Sequence, residues 1–344
     1  MNINLLTNEE VYQLNQLIDE AEQVVICCHK SPDGDALGSS LAWYSYLTEQ
    51  RGKTVSVVVP DQAPDFLQWL PHSEKVVRHD KHPEKAQQLF EQASLVFCLD
   101  FNATARVNEM EPLLVGSKAK RVLIDHHLDP DIEADLIISR PELCSTSELV
   151  LRLIHQLGHF DALSKKAATA IYCGMMTDTM AFSVNSNYPE LYYIISLLLE
   201  KHINKDKIYR QVYNNYSQWA IRFRGYIMMQ KMQYFKDARA AFFSISRSDM
   251  HRFHFIKGDA EGLVNEPLRI KGTQLSISLR EDDRVDQLIW VSLRSVEEVD
   301  CQKIAQEFFN GGGHKNASGG RLHCSLEEAE QVARQAIASL KNQN

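Results

Sequence analysis

Arg121-Val122-Leu123-Ile124-Asp125-His126-His127 joins a short apolar run to three consecutive side chains that handle metals and protons. The run 121–124 has no polar residue after its first position, the pattern of a strand buried on both faces of a parallel sheet. Similar runs stand at 24–28, 54–59 and 95–99, with a weaker one at 137–139. Between them lie helix candidates at 36–50, 83–93 and 106–114, and helices at 145–157 and 164–176 follow. Strands alternating with helices predict a doubly wound α/β domain with a mainly parallel sheet, placed at residues 1–190.

Beyond it the pattern changes twice. From 188 to 235 it is helical with no strand signal, so 191–235 is expected to be a helical connector. Tyr209, Tyr213, Tyr216 and Trp219 could stack bases, but their spacings of 4, 3 and 3 read more simply as a helix packing stripe. The last part, 236–344, alternates as strands at 240–246, 273–280 and 287–294, the latter two joined by an acidic turn at 281–284. A helix candidate at 299–309 precedes a glycine-rich loop at 311–320 and a short strand at 321–324. A final helix starts at Ser325, with Glu328 completing a capping box. This reads as a smaller α+β domain.

Composition narrows the function. With 344 residues, 44% hydrophobic and 24% charged, the chain has length and apolar content for two globular domains. Its net charge of -8 excludes a general electrostatic grip on long duplex nucleic acid. A small anion remains open as a ligand, because a bound divalent ion can be the largest charge in a site. Seven cysteines without C-x-x-C spacing point to a reduced, cytoplasmic setting. The polar, acidic N-terminus has no signal pattern, and the apolar helix candidate 191–199 is far short of the roughly 20 residues that span a bilayer. No membrane partner is expected.

The chemistry gathers at strand ends. His29, Asp100 and Asp125 each stand at or just beyond the carboxyl end of a predicted strand, where open α/β sheets bind ligands. Asp33 and Asp35 follow His29 in a turn shaped by Pro32 and Gly34, and Asp178 is expected just past helix 164–176. Singly, each has a structural explanation: a helix cap for Asp33, a strand terminus for Asp100, a surface histidine for His29. Together, five aspartates in one cleft need cations, since crowded carboxylates otherwise repel or protonate. The Asp/His mixture without thiolate favours two divalent ions of the Mn²⁺ type, with Mg²⁺ or Co²⁺ as substitutes. Two such ions roughly 3.5–4 Å apart can share a bridging hydroxide and stabilise both the attacking and the leaving oxygen of a phosphoryl group.

These motifs resemble the DHH phosphoesterases, specifically the subfamily with a C-terminal DHHA1 domain. The resemblance rests on His29-Lys30-Ser31-Pro32-Asp33-Gly34-Asp35-Ala36-Leu37-Gly38, Asp100, Asp125-His126-His127, Tyr172-Cys173-Gly174-Met175-Met176-Thr177-Asp178-Thr179 and Gly311-Gly312-Gly313-His314-Lys315-Asn316-Ala317-Ser318-Gly319. The compact layout, and Gly262-Leu263-Val264-Asn265-Glu266-Pro267-Leu268, are most similar to the family's small oligoribonucleases. The resemblance implies one metal held by His29, Asp33 and Asp100 and a second by Asp35, Asp100, His126 and Asp178, with Asp100 bridging. It makes Asp125 an orienting carboxylate and His127 the group that meets the scissile phosphate.

In the second domain, consecutive glycines let backbone N–H groups approach an anion. Gly312, Gly313, His314, Asn316 and Ser318, with Arg294 on the strand before, are expected to hold a substrate phosphate, and Arg106 is a further candidate. The ordinary alternative for the glycines is a flexible turn. Anchoring one phosphate while metals cleave another would select short RNA oligonucleotides or small nucleotides. Linear or cyclic di-adenylate is the alternative substrate, and a non-catalytic nucleotide sensor the weaker one. Apolar stretches in the connecting helices suit a homodimer.

Overall fold

The apolar runs of the first half become neighbouring strands of one parallel sheet. In chain order these are β1 (Gln23–Cys28), β2 (Thr54–Val59), β3 (Val77–Arg78), β4 (Leu95–Leu99), β5 (Lys120–Asp125) and β6 (Leu136–Ser139), arranged 3-2-1-4-5-6. In this computed structural model residues 1–256 and 258–340 are described, and the chain divides into two compact units, Met1–Asn215 and Tyr216–Asn344. Only β3 escaped the sequence pattern, being two residues long.

Eight helices complete the first unit: α1 (Asn8–Glu20), α2 (Gly34–Glu49), α3 (Pro83–Gln92), α4 (Glu111–Gly116), α5 (Thr146–Gln156), α6 (Lys165–Asp178), α7 (Pro189–Glu200) and α8 (Lys205–Tyr213). On one face of the sheet Val24, Ile26 and Cys28 share a core with Leu14, Leu41, Ile154 and Ile171. On the other, Val25 and Cys27 pack with Phe90 and Leu114. Both faces are covered, which is why the strands are apolar without alternation.

α1 was not anticipated from the sequence, and two further details differ from the expectation. The helix predicted at 106–114 is a 3-10 turn, Thr104–Met110, broken at Asn108, and only then α4. Pro112, in the first turn of α4, suits a helix start and not a helix interior. Asp178 is the last residue of α6 and not a residue beyond it.

In the second unit a mixed sheet contains β7 (Gln233–Phe235), β8 (Ala240–Ile245), β9 (Leu275–Glu281), β10 (Leu288–Ser295), β11 (Gly312–His314) and β12 (Ala317–His323), in the order 11-12-10-9-8-7. Phe242, Ile277 and Val291 pack under α11 (Cys301–Phe308) and α12 (Leu326–Ser339), which Ser325 and Glu328 cap as a box. Phe243 and Ile245 point the other way, toward α9 (Gln218–Tyr226) and α10 (Arg247–Arg252).

The stretch 191–235 contributes to both units. Leu191, Ile194, Leu198, Ile208 and Val212 belong to the first unit's core, whereas Phe223 and Ile227 belong to the second's. Tyr209 to Trp219 is not one helical stripe: α8 ends at Tyr213 and Ser217 caps a new helix by accepting the Ala220 N–H. β7, at the end of that stretch, was not expected from the sequence. Among the described residues, no helix is long and apolar enough to cross a membrane.

Candidate metal centre

The strand order reverses between β1 and β4, and the crevice outside their carboxyl ends is where ligands bind in such sheets. His29 follows β1 directly and Asp100 follows β4, so the two face one another across that reversal. His29 Nε2 lies 3.5 Å from Asp100 Oδ2 and 3.8 Å from Asp33 Oδ2. Asp100 adopts a left-handed backbone, φ 64°, fixed by its N–H donating to the carbonyl of Ile124 at the end of β5. A strained, well-anchored residue at a strand end is a common mark of a functional site.

Asp33 has two duties. One oxygen accepts the N–H groups of Asp35 and Ala36, both at 3.0 Å, and so caps α2. The other points toward His29. The cap reading and the ligand reading are therefore compatible, since a carboxylate has lone pairs for both.

His126 gathers the second set of donors. Its Nε2 is 3.6 Å from Asp100 Oδ1, 3.6 Å from Asp178 Oδ2 and 4.0 Å from Asp35 Oδ2. Asp35 is buried on α2 and held from across the fold by the N-terminus of α5. Thr146 N–H donates to Asp35 Oδ2 at 2.7 Å and Ser147 N–H to Oδ1 at 2.8 Å, while the Thr146 hydroxyl donates to Asp100 Oδ1 at 3.0 Å. These two residues were missed from sequence, because a backbone N–H has no residue signature. Ser145, accepting the Glu148 N–H as an N-cap, was the one available signal that a helix N-terminus stands there.

Close backbone approach brings together α2 and α6, the helices that carry Asp35 and Asp178. A Cβ at Gly174 of α6 would lie 1.9 Å from Ser147 Oγ and 2.9 Å from Asp35 Oδ1, and one at Gly38 of α2 would lie 2.7 Å from the carbonyl of Ala170. Asp178, one turn beyond Gly174, reaches the same cluster for this reason.

The titration behaviour reflects packed charge. Burial, then the neighbouring charge of Asp100, pushes Asp35 well above the usual carboxylate range. Burial and the charge of Asp35 do the same to Asp178. Burial opposes charge on His29, yet its bond to Asp100 and the charges of Asp33 and Asp100 outweigh it, and the pKa is pushed up to about 9. Burial also opposes ionisation of Asp100, but His29, His127 and His126 hold it well below its ordinary value.

His127 also faces a second carboxylate. Its Nδ1 is 2.7 Å from Asp125 Oδ1, so Nδ1–H donates to that carboxylate and Nε2 is turned outward. Asp125 is fully buried, and its other oxygen has no hydrogen-bond partner among the described residues.

Three overlapping groups have donor atoms all within 4.8 Å of one another: His29, Asp33 and Asp100; Asp35, His126 and Asp178; and Asp100, His126 and His127. Oxygen and imidazole donors without thiolate, crowded enough to hold protons in place of counter-ions, fit divalent cations.

The family model for the DHH family, N-terminal domain, matches residues 23–175, and that for the DHHA1 domain matches residues 247–342. A solved structure, an exopolyphosphatase-related protein from Bacteroides fragilis, is 45% identical with a TM-score of 0.93, covering 98% of both chains. The chain belongs to the DHH family. Among its DHH-family relatives, the bifunctional oligoribonuclease and PAP phosphatase NrnA of Bacillus subtilis is 26% identical over 93% of this chain and 95% of its own length. The cyclic-di-AMP phosphodiesterase GdpP of Geobacillus thermodenitrificans is 25% identical over 95% of this chain. This DHH chain spans about half the length of the cyclic-di-AMP phosphodiesterases it matches, 49% and 48%.

The DHHA1 unit places the remaining candidates differently from a simple loop. Residues 311–320 form most of a β-hairpin, with His314 paired to Ala317 across Lys315 and Asn316. Gly311 permits contact between the strands, since a Cβ there would lie 1.9 Å from the carbonyl of Gly319. Asn316 donates to Ser295 Oγ at 2.9 Å, and the buried Ser318 donates to the carbonyl of His314 at 2.8 Å. Both side chains hold the hairpin. His314 and Gly313 are exposed at its tip, and Gly312 is half-buried. Arg294, half-buried on β10, donates to the carbonyl of Leu293. In the first unit Arg106 is exposed, its carbonyl accepts the Lys30 N–H, and its charge opposes protonation of His29.

Proposed function

We propose that the chain is a metal-dependent phosphoester hydrolase that cleaves short oligoribonucleotides to 5'-mononucleotides and removes the 3'-phosphate of adenosine 3',5'-bisphosphate. The observation that carries this reading is the sharing of Asp100 between two donor groups beside a histidine oriented by Asp125. His29, Asp33 and Asp100 would hold one divalent ion, and Asp35, Asp100, His126 and Asp178 the other. Bound there, the ions would supply charge stabilisation for the phosphoryl oxygens and an activated water.

The residues of the chain set the rest of the chemistry. Asp125 orients the His127 ring by accepting from Nδ1–H, so that Nε2 faces the phosphate and, when the ring carries a second proton, can donate it to a phosphoryl or leaving oxygen. Thr146 and Ser147 keep Asp35 and Asp100 in place through donors that cost no reorganisation. Arg106 in the first unit and, in the second, Gly313 and His314 at the exposed hairpin tip together with Gly312 and Arg294 are the proposed anion contacts of their respective units.

Similarity to the relative named as an oligoribonuclease and PAP phosphatase along nearly its full length supports the choice of substrate. Similarity to cyclic-di-AMP phosphodiesterases supports di-adenylate as the second reading. The deciding experiment is a Mn²⁺-supplemented turnover panel with a short oligoribonucleotide, pAp, pApA, cyclic di-AMP and pyrophosphate. Hydrolysis of the oligonucleotide and pAp is expected. Turnover of pyrophosphate alone would overturn the substrate class, and turnover of none would favour a sensor.

A further inference from the structure

Residues 207–236 form a thirty-residue stretch without Asp or Glu in a chain of net charge -8, and hold eight aromatic residues. The part within the second unit forms α9 and a π-helical turn, Ile227–Lys231. Ala220, Phe223 and Ile227 are buried on one side. Trp219, Arg222 and Tyr226, at spacings of three and four, lie along the edge of that packed side, the two rings half-buried against the core and Arg222 exposed.

Along that edge cations sit over rings. The Arg222 guanidinium lies 5.4 Å from the Trp219 ring and that of Arg252 lies 5.1 Å from Tyr226. Lys231 is 5.8 Å from Tyr226 and 3.3 Å from Asp249, so its charge is partly matched. Arg222 and Arg252 are exposed, and among the described residues neither has a carboxylate partner. Met229, 82% exposed, extends the same surface.

We infer that this surface binds single-stranded polynucleotide, with Arg222 and Arg252 meeting phosphates and Trp219 and Tyr226 offering stacking faces to bases. Unmatched guanidinium groups beside half-buried rings are the combination that grips a flexible anionic strand whose bases are unpaired. A duplex hides those bases, and the acidic remainder of the chain repels its dense charge. The choice of polynucleotide over other polyanions rests on the proposed function, but binding at this surface needs none of the metal ligands.

The test separates the two. Fluorescence anisotropy in EDTA, where turnover is blocked, is measured for a labelled single strand of about 12 nucleotides as RNA, as DNA and as duplex, at about 50 mM salt and above. The protein is expected to bind either single strand more tightly than duplex. Arg222→Ala with Arg252→Ala should weaken binding about tenfold or more and reduce the salt slope by about 1.4, at about 0.7 per phosphate on single strands. Trp219→Leu should weaken binding with the slope unchanged. Dinucleotide hydrolysis, assayed separately with Mn²⁺, should be unaltered in the arginine variant. Absence of single-strand binding, equal binding by the arginine variant, or binding to anionic vesicles in place of single strands would overturn the inference. Absence of hydrolysis in the unaltered protein, with single-strand binding present, would instead count against the proposed function.

Discussion

Nδ1 of His127 lies 2.7 Å from Oδ1 of Asp125, two residues earlier in the chain. The carboxylate is fully buried, so the histidine is what compensates its charge, and the pair fixes which imidazole nitrogen faces outward. Asp125→Asn would allow the amide to donate and reverse the tautomer. A fall in kcat of about 10–100-fold is expected, with metal content by elemental analysis unchanged. Loss of metal in parallel would show that Asp125 ligates and does not merely orient.

Asp100 belongs to two of the three donor groups, one with His29 and Asp33 and one with His126 and His127, and lies 3.6 Å from the His126 that gathers Asp35 and Asp178, so its removal should disturb both proposed sites. Asp100→Ala should reduce turnover by at least about a hundredfold. Calorimetric titration should show both Mn²⁺ events weakened, whereas Asp178→Ala should affect one. Two undisturbed events in Asp100→Ala would rule out bridging.

Without metal, the protein should lose stability as pH rises. His29 has its pKa raised from 6.5 to about 9, so its contribution is complete below 6.5 and is lost through about 9. The raised carboxyls of Asp35 and Asp178 act in the same sense, since the folded state keeps their protons longer than the unfolded chain and ionising them costs stability. Divalent ions replace those protons. The rise in melting temperature caused by Mn²⁺ over EDTA should therefore grow across about pH 6 to 9. A rise that is flat or shrinks with pH would contradict this account.

Gly174→Ala places a methyl group 1.9 Å from Ser147 Oγ. Overpacking of this kind costs about 1–3 kcal/mol, visible in denaturant melts, and should displace Ser147 and with it the N–H that holds Asp35. Weaker metal binding should accompany the lost stability. A variant that is merely less stable would show that the contact packs the helices without positioning the ligand.

In the second unit, Asn316 and His314 should separate. Asn316→Ala removes the bond to Ser295 and should cost about 1 kcal/mol of stability. His314→Ala, at the exposed tip, should raise KM with little effect on kcat, whereas Asn316→Ala should show its effect in melting. An unchanged KM in His314→Ala would remove His314 from the anion contacts.

The sequence by itself determined the parallel sheet of the first unit and the positions of its chemistry. Strands buried on both faces must be apolar throughout, and His29, Asp100 and Asp125 interrupt that rule where each strand ends. It determined less in the second unit, where glycines of 311–320 read as a loop are spaced by strand pairing, and Asn316 and Ser318 are used inside the hairpin. Only the tertiary structure decided that Asp100 is shared, that Thr146 and Ser147 hold Asp35, and that α8 and α9 are separate helices with Trp219 half-buried beside an exposed Arg222. The physical reason is common to all three. Residue type records what a side chain can bond to, whereas distance between segments far apart in the chain, and the donors of the backbone itself, exist only once the chain has closed on itself.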